Sequence, residues 1–424
     1  MPDEPVRSDA ASSPEAKSAA GLPLQKNWLS IIAVIWAGQA VSMTTSYAAG
    51  YAVVWYVTES TGSALMLSIM TIAVMLPVGL ISPFGGIVAD RHNRKAIMIV
   101  ADGAIGLVSL IAGFLILAGD VSIVLLTVVC IARAVGQAFH SPAMMATMPM
   151  LVPDKHLLRI NTLDQLLASV AAIGAPAFGI FLYTTLGFSS VMFLDFMGAC
   201  AAIFGLALAK VPTVIDPSAK EQHVLANLRD GFRAVTKTRG LVLLIVMVTV
   251  GMMIFSPLSA VFPLMTYDHF SGDGYMASVV EAAFGVGMLV GSGILIAWGG
   301  GKRLALLIVI AAVIVGATTA ACGLLPPDAF VGFVVLVAVM AVACSWFNGP
   351  TMTLTQRHVP DEKMGRAMGL LGAVMGLASP IGVAIGGVLA EAIGVAPFFL
   401  VDGLACLLLG LVAYLPRSIR ALDE

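Results

Sequence analysis

Charge is what this 424-residue chain has least of: Asp, Glu, Lys and Arg make up 11% of it, against 59% hydrophobic residues. Soluble domains carry about a quarter charged residues, so a chain this poor in charge cannot clothe a compact body in polar surface. An ordinary soluble globule is excluded, and lipid is the expected solvent. The net charge of −2 supplies no basic surface for nucleic acid. Ligand spacing is missing from Cys130, Cys200, Cys322, Cys344 and Cys406, which stand singly in apolar runs and read as packing residues. A Walker A sequence is also missing, so no nucleotide is expected as partner or energy source. No nucleophile–base–acid set and no metal site stand out, so neither an enzyme nor a cofactor is expected. The run MMATMPM offers thioethers to Cu(I), but it has no repeated ligand pattern.

What is present is long apolar runs. Crossing the hydrocarbon takes roughly 20 apolar residues in a helix, and twelve runs qualify: 28–50, 64–84, 96–118, 121–141, 163–184, 189–209, 241–263, 275–297, 303–324, 329–349, 367–389 and 394–415. Residues 1–27, rich in Ala, Ser, Pro and charge, read as a disordered tail without a signal peptide's basic start and cleavage site. The longest interruption, 210–240, divides the runs into six and six, giving bundles at 28–209 and 241–415 and a short tail at 416–424. The second half of the linker, from Ala226, reads either as a surface amphipathic helix or as a polar tether. Lys and Arg favour the cytoplasmic side of short loops. With both termini placed there, Lys26, the 91–95 cluster, Lys155, Arg159, the linker, Lys302, Arg303, Arg357, Lys363, Arg366, Arg417 and Arg420 all fall on that side, and the opposite loops contain no Lys or Arg. A multi-pass protein of the inner (plasma) membrane with both termini cytoplasmic is expected.

The halves echo each other. HSPAMMATMPMLVPDKHLLR is similar to NGPTMTLTQRHVPDEKMGR, and GFSSVMFLDFMGAC to GVAPFFLVDGLAC, so that Asp195 and Asp402 each follow a glycine, Gly187 and Gly394, by eight residues. Two six-helix bundles related by an axis along the membrane normal are the usual meaning of such a repeat. The expected fold is all-α, twelve transmembrane helices in two pseudo-symmetric six-helix bundles, with a cavity between them suited to a carrier acting as a monomer.

One loop concentrates charge beside all this apolar sequence: GGIVADRHNRK, between the second and third runs. Gly86 permits close helix approach, and Asp90 is placed to bond Arg91, Arg94 or free amides at a helix start, with Lys95 completing the cluster. Such a group reads as a latch joining the cytoplasmic ends in one state and releasing them in another. The alternative is that the loop obeys only the positive-inside preference, which accounts for the basic residues but not for Asp90 or the glycines.

From Gly86 through Asp90-Arg91 to Arg94-Lys95, with Asn93 in place of a glycine, the loop resembles the signature G-x-L-x-D-R-x-G-R-K of the major facilitator superfamily. PFGGIVADRHNRKAIMIVAD, RAVGQAFHSPA and the VPD turn followed by NTLDQL are most similar to drug:H+ antiporters of the macrolide-efflux type, a group that includes enterobactin-type siderophore exporters. The resemblance spans about 28–415 and implies proton-coupled export by alternating access. It also puts the superfamily's helix-four arginine at Arg133. The antiporter pattern of helix five is partly kept, with Pro176 and Gly179 present and Ala175 departing from it.

Charges inside hydrocarbon are costly and usually face a partner or a watery cavity. Apart from Arg303 at the edge of its run, Arg133 is the one Lys or Arg within a span, and Asp102 lies at comparable depth in the neighbouring span, so the two are expected to pair, for structure or for coupling. Asp195 has no basic residue near it in sequence and suits a group that takes up and releases a proton; a buried hydrogen bond is the plainer alternative. Glu281 and Asp402 lie toward the far ends of their spans, where each would attract a cation or relay a proton, or, for Asp402, persist as a relic of the repeat. Asp164, at a helix start, reads as a cap. Along the first span, Gln39 and Tyr47 beside Trp36 are candidates to line the cavity, with interhelical packing as the alternative. The 23 Met and 19 Phe suit an adaptable apolar cavity as well as ordinary lipid-facing helices. Pro176 and Pro380, in corresponding spans, together with Pro257 and Pro263, mark places where bending would help gating.

The expected function is export of an amphipathic drug or antibiotic in exchange for protons. Movement of a siderophore, lysophospholipid or other metabolite is the alternative, sugar uptake is disfavoured by the low polarity of spans seven and ten, and a receptor or scaffold would leave the loop and the membrane acids unexplained.

Overall fold

The computed structural model describes residues 27–119, 121–153, 156, 160, 170, 174–175, 178–179, 181–211, 239–298, 301, 303–358, 361–421 and 423. In chain order the helices are α1 (Trp28–Thr61), α2 (Ala64–Arg91), α3 (Arg94–Leu117), α4 (Ile123–Leu151), α5 (Phe188–Leu208), α6 (Arg239–Leu264, prolonged by a π-helical turn Met265–His269), α7 (Gly274–Trp298), α8 (Leu304–Gly323), α9 (Phe330–His358), α10 (Asp361–Ile393), α11 (Val395–Ala413) and the short α12 (Arg417–Arg420). Eleven of them contain stretches long and apolar enough to cross a membrane, and no strand occurs among the described residues. The expected fifth span, 163–184, falls mostly outside the described residues, as do Asp164, Pro176 and most of the linker. Several helices outrun their apolar cores: α1 continues eleven residues past the expected end at Gly50, and α9 to His358.

Helices stop where the sequence supplies punctuation. Gly62, at φ 58°, closes α1 with its amide on the Thr58 carbonyl, and Ser63 then caps α2 by accepting from the Met66 amide at 3.2 Å. Asn93 and Ser122 cap α3 and α4 in the same way. Gly187 and Gly394 precede α5 and α11 with nearly the same backbone, φ 81° and 86°, ψ 162° and 159°, so the repeat read from sequence is also a repeat of conformation. Within the helices, hydroxyls that would otherwise face hydrocarbon bond back to the carbonyl four residues earlier, as at Thr58, Thr71, Thr147 and Thr319.

Lipid gives helices no hydrophobic reason to associate, so they do so through close packing of small residues and a few polar bonds. Gly38 of α1 lies so near α5 that a Cβ there would stand 2.7 Å from the Ala201 carbonyl oxygen, and Gly205 of α5 returns the fit against Val34. In the signature loop the expectation is displaced by one residue. A Cβ at Gly86 would meet nothing within 4 Å, whereas one added at Gly85 would run into the Ala138 carbonyl and stand 3.2 Å from the Phe139 Cα of α4.

The bundle has one end bearing Arg91, Arg94, Lys95, Lys210, Arg303, Arg417 and Arg420, and another bearing Glu59, Asp268, Asp273, Asp328 and Glu391 with no Lys or Arg in its loops. The halves meet from the acidic end to the middle. Glu391 of α10 accepts from the Ser63 hydroxyl at 3.0 Å and the Leu65 amide at 3.1 Å, Trp55 of α1 packs edge-on against Tyr267, and Ser379 of α10 contacts Met75 of α2 at 3.8 Å.

Candidate functional site

Arg133, half-buried, lies among α1, α3, α4 and α5, and its partner is Asp195, not Asp102. The expected Asp102–Arg133 pair rested on similar depth in neighbouring spans. Depth along a helix does not fix direction around it, and Arg133 turns toward α5. Asp195, 1% exposed, is therefore not the isolated acid its sequence neighbours suggested. Its Oδ1 accepts from Ser46 at 2.6 Å and its Oδ2 from Ser109 at 2.6 Å, while Arg133 also bonds the Ser109 hydroxyl and donates to the Ser46 carbonyl at 3.3 Å. Every oxygen of the carboxylate is occupied and the charges balance. A buried ion pair satisfied this completely holds helices together at little cost in unpaired polarity.

Asp102 belongs to a second group. Its Oδ2 accepts from the Gln39 amide of α1 at 3.1 Å, and its Oδ1 lies 3.4 Å from Nε2 of His140 on α4. His140 carried no sequence signal beyond standing in an apolar helix. Gln39 is buried and joins α1 to α3, whereas Tyr47 is 46% exposed. Trp36 has its indole nitrogen buried without a hydrogen-bond partner.

The two groups are in register. Ser46 and Gln39 on α1, Ser109 and Asp102 on α3, and Arg133 and His140 on α4 are each seven residues apart, which is two turns, about 10.5 Å, on one helix face. Each of these helices therefore contributes one residue to each layer, with the Asp102 layer nearer the basic end. Between the layers Ile105 of α3 lies over Gly136 of α4, where an added Cβ would come within 2.6 Å of the isoleucine side chain.

The remaining candidates stand apart from both layers. Asp402, buried in α11, leaves Oδ2 without a partner. Beyond it, α6, α8, α9 and α11 enclose an apolar cavity of about 120 Å³ whose walls include Phe255, Phe347, Cys406 and Leu409. Glu281 of α7 is half-buried, within electrostatic reach of the Tyr51 hydroxyl, which itself has no hydrogen-bond partner. Pro380 is buried in α10. In the signature loop, Arg94 donates to the carbonyls of Ala89 and Ala146, and Lys95 to those of Ala207 and Ala209 at the end of α5. These basic residues thus tie helix ends within the first half, while Arg91 is exposed and the side chain of Asp90 lies outside the described residues. Among the described residues no group of three or more His, Cys, Asp or Glu is arranged to hold a metal ion.

Helices in this arrangement, with charge buried between them and the halves meeting along α2 and α10, define a membrane transporter of the major facilitator class. The fold matches that of a D-xylose–proton symporter with a TM-score of 0.67 at 14% identity, covering 91% of this chain and 98% of that one. More narrowly, the chain belongs to the transmembrane secretion effector family, whose pattern it matches over residues 21–424. It is similar to macrolide efflux protein A of Streptococcus pyogenes, 33% identical over 401 residues, covering 94% of this chain and 98% of the relative. It is also similar to the multidrug efflux pump Tap of Mycolicibacterium fortuitum, 26% identical over 384 residues, covering 87% and 91%. Family and relatives place the chain among efflux transporters of the major facilitator type and not among enzymes.

Proposed function

We propose that the protein exports amphipathic drugs or antibiotics, macrolides among them, in exchange for protons, as a monomer in the plasma membrane with both termini in the cytoplasm. The observation that carries the substrate class is the likeness to a macrolide efflux protein across 98% of that protein's length. The orientation follows from the absence of Lys and Arg at one end and their abundance at the other. In this orientation the halves are clasped at the outer end, where Glu391 holds the start of α2. Substrate enters from the cytoplasm or inner leaflet, and the halves then rock about the α2–α10 contact. Ionisable side chains buried within the spans support a proton as the coupling ion, since such groups are expensive to keep in hydrocarbon.

The test is proton flux in sealed proteoliposomes under an imposed pH gradient as macrolides, lipophilic cations and siderophores are added in turn. The expected result is a flux triggered by the macrolide. A flux triggered by a siderophore alone would favour the metabolite-export alternative. Labelled macrolide moving without proton flux would remove protons from the mechanism and leave the carrier.

A further inference from the structure

We propose that the pair His140–Asp102 is the proton-exchanging site of this transporter, with Gln39 as the positioning residue and the Arg133–Asp195 layer as fixed structure. The proposal rests on the antiport reading above.

The two layers differ in spare capacity. Arg133, Ser46 and Ser109 bond both oxygens of Asp195, so a proton arriving there must compete with an ion pair. In the other layer His140 Nε2 is buried without a hydrogen bond and lies 3.4 Å from Asp102 Oδ1, so one of its bonding positions is still open. One proton added to the neutral ring turns it into an imidazolium whose Nε2–H pairs with Asp102. Release breaks that single bond and returns the proton to water, leaving neutral imidazole. Gln39 donates to Oδ2 and thereby keeps Oδ1 turned to the ring.

Few other charges bear on the site. On α4, Arg133 is committed to Asp195 of α5, and Cys130 lies beyond it. On α3, Arg94 and Lys95 are bonded to carbonyls about two turns away. On α2, which packs against α4, Asp90 and the exposed Arg91 stand at the basic end; α1 has no acid or base within the layer. From α6, which touches α1, no acid or base projects between Arg239 and Tyr267. Ile105 packs over Gly136 between this layer and Asp195, so in this conformation, with the halves clasped at the acidic end, the proton exchanges toward the basic end; loading from the other side belongs to the rocked conformation.

Proteoliposomes containing wild type, His140→Gln and Asp102→Asn are compared for macrolide-triggered proton flux, for the pH profile of efflux, and for counterflow of labelled macrolide, which needs no net proton movement. In His140→Gln, proton flux is expected to fall at least about tenfold and efflux to lose its dependence on pH across about pH 5–8, with counterflow still measurable. Wild-type flux and pH profile in His140→Gln would overturn the assignment. Should that variant lose counterflow as well, Asp102→Asn decides: flux at least about tenfold lower with counterflow present supports the site, and wild-type flux overturns it. Wild type that moves macrolide without protons would overturn the antiport reading itself, separately from the choice of residue.

Discussion

Asp195 and Asp402 hold the same place in the two halves, eight residues after glycines of matching backbone conformation, yet their surroundings have parted. Asp195 gathers Arg133, Ser46 and Ser109 around it, while Asp402 keeps one oxygen without a partner. The reason is on the neighbouring helix. Pro142 and Pro350 align α4 with α9 and put Ala341, fully buried, where Arg133 stands in the first half. A repeated acid without its repeated base cannot form the ion pair, and the helices of the second half instead surround an apolar cavity. Duplication thus preserved the scaffold and let its electrostatics diverge.

The comparison is sharpest where it predicts unequal losses. Arg133→Met leaves Asp195 buried and uncompensated and is expected to cost about 3–5 kcal/mol. Asp402→Asn, which removes an acid with no ion-pair partner among the described residues, should change stability by less than about 1 kcal/mol; equal losses in denaturant unfolding of the solubilised protein would erase the distinction. Adding Asp195→Asn to Arg133→Met should restore a substantial part of the loss, because the two charges are worth less apart than absent together. Next in size, Gly85→Ala forces a methyl against the α4 backbone and should cost about 1–3 kcal/mol. Gly86→Ala, facing open space, should be neutral or stabilising by up to about 1 kcal/mol. Thermal melts of the pair check this directly. Smallest is Glu391→Gln, which weakens the cap that α10 places on α2; amide exchange at Leu65 should quicken about fivefold, the equivalent of about 1 kcal/mol.

Much of the fold could be read from the chain because hydrocarbon imposes simple rules: length of apolar run, charge at the ends, and repeated motifs. The run starting at Trp28, the basic end and the Gly187/Gly394 repeat all follow from them. Partners inside the bundle did not. Sequence gives the depth of Asp102, Arg133 and Asp195, but their pairing depends on the rotation of each helix, which is set by contacts such as Gly38 against Ala201 and Gly136 against Ile105. The seven-residue steps from Ser46 to Gln39, Ser109 to Asp102 and Arg133 to His140 were available as a pattern. They become meaningful only when three helices are seen to present those faces to one another.

The knot at Asp195 has a consequence for cooperativity. Four helices share one cluster of bonds, so none of α1, α3, α4 and α5 can fray past the middle without the other three. Their central amides should therefore exchange with solvent in a single slow event, while those of α6, α8, α9 and α11, grouped around a void, should open in several smaller ones. The first half is built to tilt as a block, and the second to yield in parts.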